Sequence, residues 1–147
     1  MGTTYSLIPL SVIISKPEDV QQLTEMGVNL PFEVTEGRFP TPKELLNVLT
    51  TLSGYIVDDH RLSEKLEIFV SRSDDEAHTH DSAILWIDDY QGNDAPANFK
   101  FYRGNYSLVV KITQLLAKFC GPFLLTDADN FEVVDYSGLV NQDSKIG

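Results

Sequence analysis

Between Thr41 and Cys120 the apolar residues change period twice, and this constrains the fold more than any other feature of the chain. Leu45, Val48, Leu49 and Leu52 recur at i, i+3, i+4 and i+7, the stripe of one helix face. Thr41-Pro42-Lys43-Glu44 before them is a capping box with proline at the first helical position, where its missing N–H costs nothing, and Gly54 ends the run. The period then falls to two, and residues 55–58, 66–72, 83–89 and 98–103 read as strands. The breaks between them (60–65, 73–81, 91–97) are polar and short, which favours antiparallel neighbours. After Gly104 the helical period returns: Leu108, Ile112, Leu115, Leu116 and Phe119 mark a buried face, and Cys120-Gly121-Pro122 terminates it.

The flanks extend this pattern. Residues 7–14, rich in Leu, Ile and Val, predict a first strand with Pro9 near its start or on an edge. Ser15-Lys16-Pro17-Glu18 has the form of a capping box and predicts a short helix ending near Met26, with Gly27 as its stop. Residues 30–40 form a connector with room for a short strand at 32–35. Residues 123–126 and 131–136 predict a closing hairpin around Asp127-Ala128-Asp129-Asn130. The expected fold is α+β: a mostly antiparallel sheet of about six strands, with the helices at about 41–53 and 106–120 packed on one face. The nearly continuous apolar run from Ala83 to Ile87 predicts a central strand covered on both faces. With 147 residues, no repeat and no linker, one domain spanning 1–147 is expected, frayed at 1–4 and 138–147.

Charge narrows the function classes. There are 22 acids against 11 Lys plus Arg, a formal net charge of −11. Between Ser73 and Phe99 lie Asp74, Asp75, Glu76, Asp81, Asp88, Asp89 and Asp94 with no Lys or Arg; between Phe119 and Ser144 lie Asp127, Asp129, Glu132, Asp135 and Asp143, again with none. Such a surface attracts cations or a basic protein and repels nucleic acid and anionic lipid. No apolar run approaches the roughly 20 residues of a membrane helix. The stretch 7–14 lacks a basic flank before it and reads as a strand rather than a signal peptide. Cys120 is the only cysteine, so no internal disulfide forms. Together these features predict a cytoplasmic protein. Met1-Gly2 with Ser6, and the sequon Asn105-Tyr106-Ser107, are short enough to arise by chance.

No catalytic motif stands out. There is no Gly-x-Ser-x-Gly, and Gln91-Gly92-Asn93-Asp94 lacks the glycines and lysine of a phosphate loop. His60, His78 and His80 are the obvious metal candidates. A hairpin joining 55–58 to 66–72 would put His60 roughly 20 Å from the other two, and the His78/His80 pair with Asp75 or Asp81 falls short of a structural zinc set. Asp127-Ala128-Asp129-Asn130 lacks the Gly and Glu of a calcium loop and reads as a turn. Cys120, at a helix C-terminus beside its apolar face, reads as a core thiol. No metal and no cofactor is expected.

Two acid pairs carry more. In the antiparallel reading Asp58-Asp59 and Asp88-Asp89 end strands that run the same way, one strand apart, so they would meet at one sheet edge roughly 10 Å from each other. There they would face Arg or Lys of a partner. Tyr90 and Tyr102, next to the acid-rich window, are candidate interface anchors, while Trp86 is expected in the core. The expected partner-binding set is therefore Asp58, Asp59, Asp88, Asp89, Tyr90 and Tyr102.

In size, acidity, general organisation and lack of catalytic motifs, the chain resembles the immunity proteins that bacteria make against polymorphic toxins. The resemblance implies a non-catalytic inhibitor whose acidic rim covers a basic partner such as a toxin domain, with neither nucleic acid nor membrane as partner. A carboxylate/His metal-dependent enzyme or module, a phage-type inhibitor imitating nucleic acid, and a structural subunit of an assembly are the alternative classes.

Overall fold

A computed structural model of the chain describes residues 4–28, 30, 37–72, 82–88, 90, 92–127 and 130–135. Its elements run β1 (Tyr5–Pro9), α1 (Leu10–Ile14), α2 (Pro17–Glu25), α3 (Pro42–Thr50), β2 (Tyr55–Leu62), β3 (Lys65–Arg72), β4 (Ser82–Ile87), β5 (Lys100–Gly104), α4 (Tyr106–Cys120), β6 (Phe123–Thr126) and β7 (Phe131–Val134). The seven strands form one sheet in the order β2-β3-β4-β5-β1-β6-β7, and every neighbouring pair is antiparallel. The α+β architecture with a mostly antiparallel sheet is as the sequence predicts, with one strand more than the expected six or so.

α3 and α4 cover one face of this sheet. Their buried residues Leu45, Val48, Leu49, Leu108, Val109, Ile112 and Leu116 join Leu66, Ile68, Val70, Leu85 and Phe101 from the strands in the main core. α3 begins as its capping box requires: Thr41 Oγ1 accepts from the Glu44 N–H at 3.1 Å, and the Thr41 N–H donates to Glu44 Oε1 at 2.9 Å. Arg38 adds a fork of two bonds, Nη1 to Oε1 at 2.6 Å and Nη2 to Oε2 at 2.8 Å. The Arg38 guanidinium, with the cap behind it, holds the Glu44 carboxyl down to about 2. The Arg38 N–H also donates to the Cys120 carbonyl at 3.1 Å, so one residue joins the end of α4 to the start of α3. At the other end of α4, Asn105 Oδ1 caps the Leu108 N–H at 3.2 Å. The Tyr106 hydroxyl donates to Glu132 on β7, and burial with that bond pushes the phenol up to about 12.

α1 and α2 pack on the opposite face, but only near β1, β6 and β7. There Leu10, Ile13, Leu23 and Leu124 form a second cluster with Ile8, Phe131 and Val133 around them. The strand expected over 7–14 is thus half strand and half helix: the chain turns at Pro9, which precedes α1 as its N-cap. The second capping box does not form either. Ser15 Oγ donates to the Val12 carbonyl at 2.7 Å, closing α1, and Lys16 takes the N-cap position of α2. The short strand considered at 32–35 lies outside the described residues.

Candidate functional site

Because α1 and α2 stop at β1, no described helix covers the second face of β2–β5. The alternation of side chains along these strands sets Leu66, Ile68 and Val70 into the core and turns Lys65, Glu67, Phe69 and Ser71 to this open face. β4 alternates in the same way, so Ile84 and Trp86 are half-buried where coverage on both faces was expected. Register places Ile56, Asp58, His60 and Leu62 of β2 opposite Ser71, Phe69, Glu67 and Lys65, on the same open face.

At its centre is a ladder of rings and cations. Trp86 and Tyr102 stack with centroids 3.8 Å apart and planes 11° from parallel. Lys65 Nζ stands 3.3 Å from the Trp86 centroid. Two groups that close cannot share one side of a ring, so Lys65 from β3 and Tyr102 from β5 occupy opposite faces of the indole. Arg103 continues the ladder, 5.3 Å from the Tyr102 centroid. A bulge makes this possible: Leu85 pairs with Phe101 but Ile84 pairs with Arg103, leaving Tyr102 as the extra residue. Tyr102 and Arg103 therefore reach the same face despite being neighbours in sequence. Each cation–ring contact contributes about 0.5–1 kcal/mol, and the ring pair about 0.5–1.5 kcal/mol beyond the area it buries.

Ion pairs frame the ladder. Lys100 Nζ lies 3.3 Å from Asp88 Oδ2, Lys65 Nζ 3.7 Å from Glu67 Oε1, and His60 Nε2 3.3 Å from Asp58 Oδ2. The His60 ring also meets Phe69 edge-on at 5.6 Å. Beside the ladder is a cleft of about 610 Å³, walled by Ile8, Phe39, Trp86, Pro96 and Phe99, with Asp88 and Lys100 among its polar lining. It opens where β1 and β5 part company: they pair only at Tyr5–Phe101 and Ser6–Lys100, while β1 stays with β6 through Pro9–Phe123. Trp86 Nε1 is buried and has no hydrogen-bond partner among the described residues.

The expected meeting of the two acid pairs does not occur. β2 continues past Asp58 to Leu62, so Asp58 is a mid-strand residue level with Phe69 and Ile84, while Asp88 follows the end of β4. Four residues along and two strands across separate them by about 16 Å. Asp59, opposite buried Ile68, points to the other face from Asp58. Both Asp58 and Asp88 remain open to solvent, with side chains 68% and 60% exposed. Asp89 lies outside the described residues. Tyr90 is 8% exposed and belongs to the main core, with its hydroxyl donating to Asn93 and Arg61 over its ring, so it offers little surface to a partner. Tyr102 is on the open face, and Trp86, expected in the core, is there with it.

Sequence reasoning missed Lys65, Lys100 and Arg103. The signal available was the polar alternation Lys65-x-Glu67 within a strand whose other face is wholly apolar. Among the described residues no group of three or more His, Cys, Asp or Glu is placed to hold a metal, and His78, His80, Asp75 and Asp81 lie outside them. Cys120 is buried, as expected, and burial pushes its thiol up to about 11. No described helix is long and apolar enough to cross a membrane. No family model, curated protein or solved structure matches the chain.

Proposed function

We propose that this chain is a non-catalytic binding protein whose contact surface is the open face of β2–β5, and that its partner is a basic protein of the toxin kind an immunity protein neutralises. The observation that carries this reading is the Trp86–Tyr102 stack, held in a fixed orientation on a sheet face that no described helix covers. Trp, Tyr and Arg dominate the binding energy of protein interfaces because they supply large rigid surface with a polar end. Asp58 and Asp88 flank the stack with carboxylates that stay exposed while pairing with His60 and Lys100. It is the net charge of −11 over the whole chain, against the cations of the ladder, that steers a basic partner toward the molecule. A single cysteine, kept as a protonated buried thiol, suits the reducing cytoplasm, the compartment we assign.

The test is capture from a lysate of the source cells at low salt, with the wild type beside a Tyr102→Ala, Asp58→Asn, Asp88→Asn triple variant. A basic protein held by the wild type, lost from the variant and released as salt rises is the expected result. Identical capture by both proteins would remove the open face from consideration.

The cleft favours a second reading, a small-molecule binder. It has the volume of an ordinary ligand site, and its lining mixes the rings of Phe39, Trp86 and Phe99 with Ser6, Asp88, Asn98 and Lys100 in nearly equal polar and apolar share. A ligand-induced rise in unfolding temperature that persists in Asp58→Asn, which is outside the cleft, and disappears in Phe39→Ala would favour it.

A further inference from the structure

We propose that the outer edge of β2 pairs antiparallel with β2 of a second copy of this chain, centred on Asp59, to make a weak symmetric dimer. The inference is independent of the open-face reading and rests on the pattern of one strand. Among the described residues β2 is the last strand on its side of the sheet, and from Asp58 to Leu62 every residue is exposed. Ile56 and Leu62 are 54% and 51% exposed, unusual values for large aliphatic side chains in a strand. A free edge presents a row of backbone donors and acceptors and invites pairing unless something blocks it.

Geometry limits the registers such pairing can use. Outward-pointing N–H and C=O groups alternate along a strand, and in an antiparallel pair an outward residue must face another outward residue. Two identical strands related by a two-fold axis therefore pair only when the axis passes through a residue, never between two. Centred on Val57, Ile56 would face Asp58. Centred on Asp58, that carboxylate would face its own copy and Ile56 would face His60. Centred on His60, Leu62 would face Asp58. Centred on Asp59, Ile56 faces Leu62 of the second copy and Asp58 faces His60 of the second copy, each pair occurring twice.

The match in that one register covers the whole open-face row of the strand. Its ends are apolar against apolar. Its middle is a carboxylate against an imidazole, which carries an N–H donor in either protonation state. On the other face the two Asp59 carboxylates meet at the axis, a like-charge pair that weakens the dimer. Arg61, held over Tyr90 of its own chain, faces Val57 of the second copy and is only a diagonal neighbour of its Asp59. The axis stands perpendicular to the sheet, so the two open faces become one continuous surface on the same side. An eight-residue strand pair buries less than the roughly 1,200 Å² of a stable interface, which places the dimer in the weak class.

Sedimentation velocity on the full chain, from about 1 μM to about 1 mM, tests this with three variants, a range matched to weak association. Asp58→His alone sets imidazole against imidazole, and His60→Asp alone sets carboxylate against carboxylate. The double swap restores a carboxylate–imidazole pair across the axis with the partners exchanged. The wild type is expected to dimerise within this range, each single variant to raise the dissociation constant about tenfold, and the double variant to return close to the wild type. Unfolding midpoints of the four proteins report separately on the contact that Asp58 and His60 make within one chain. A wild type that stays monomeric throughout overturns the proposal, as does a dimer whose double variant is as weak as the singles.

Discussion

Tyr102 stacks on Trp86 only because the β5 strand carries one residue more than β4 at that point, and the stack is thus a product of the bulge rather than of regular register. Trp86 is the single tryptophan of the chain and reports on its own environment by fluorescence. Tyr102→Ala is expected to shift its emission to longer wavelength as one indole face opens to water, and to cost about 1–2 kcal/mol in urea unfolding. An unchanged spectrum and midpoint would mean the rings are not stacked in solution.

Glu44 gives the molecule a pH signature. Its carboxyl is held at about 2 against an ordinary 4.5, chiefly by the Arg38 guanidinium. A folded value below the unfolded one contributes stability above about 4.5 that is lost as pH falls toward 2. Glu44→Gln should flatten that part of the stability curve. At neutral pH it should cost about 1 kcal/mol, since the pair is partly exposed and screened. A wild type and variant whose difference stays constant between pH 7 and pH 2.5 would refute the coupling.

Gly104 is required for its size. A Cβ there would lie 2.6 Å from Val109 Cγ2 and 3.4 Å from Ala83 Cβ, where the end of β5 passes beneath the first turn of α4. Val109 is fully buried and cannot swing away. Gly104→Ala is expected to destabilise by about 1–3 kcal/mol. Adding Val109→Ala should make the pair of substitutions cost less than the sum of the two singles, a coupling that thermal or urea unfolding reads directly. Strict additivity would place the strain elsewhere.

Cys120 should be inert in the native protein. The thiol is 2% exposed and pushed up to about 11, so at neutral pH it is almost entirely protonated and out of reach. Reaction with a disulfide reagent at pH 8 is expected to follow global unfolding, accelerating with urea in step with loss of structure. Prompt reaction in buffer would show that the end of α4 opens locally.

How far the sequence could be read depended on what decides each element. The extent of α4 is legible because its start and end are local, Asn105 capping it and Gly121-Pro122 stopping it. Its buried face is only partly so: Leu108, Ile112 and Leu116 are buried as expected, Leu115 is half-buried, Phe119 is exposed, and Thr113 and Gln114, expected to face away, are buried. The end of β2 is not legible. Asp58-Asp59-His60 looks like the polar close of a strand, yet an edge strand tolerates polar residues on both faces, and pairing with β3 carries it on to Leu62. That misreading alone brought the two acid pairs together. The position of Trp86 was equally hidden. Its half-burial comes from Lys65 and Tyr102 on either side rather than from a helix above it, and only the bulge in β5 delivers Tyr102 to the right place. Pro9 and Ser15 show the same limit at smaller scale, since each serves the end of a neighbouring element rather than the one its local pattern suggests.

The place of β1 in the sheet sets the order in which the molecule can assemble. β2, β3 and β4 are joined in sequence and pair in sequence, and β6 and β7 form a hairpin of their own. β1 comes before all of them in the chain and lies between the two groups, bonded to β5 on one side and β6 on the other. Its partners are about a hundred residues away, so its pairing closes the longest loops and comes late. Until then the inner edges of β5 and β6 stand open to other chains. A truncation or a proline that disables β1 would leave two hairpin-built pieces with no shared sheet, held to each other through α4, whose face packs on β4 and β5 and also on β7.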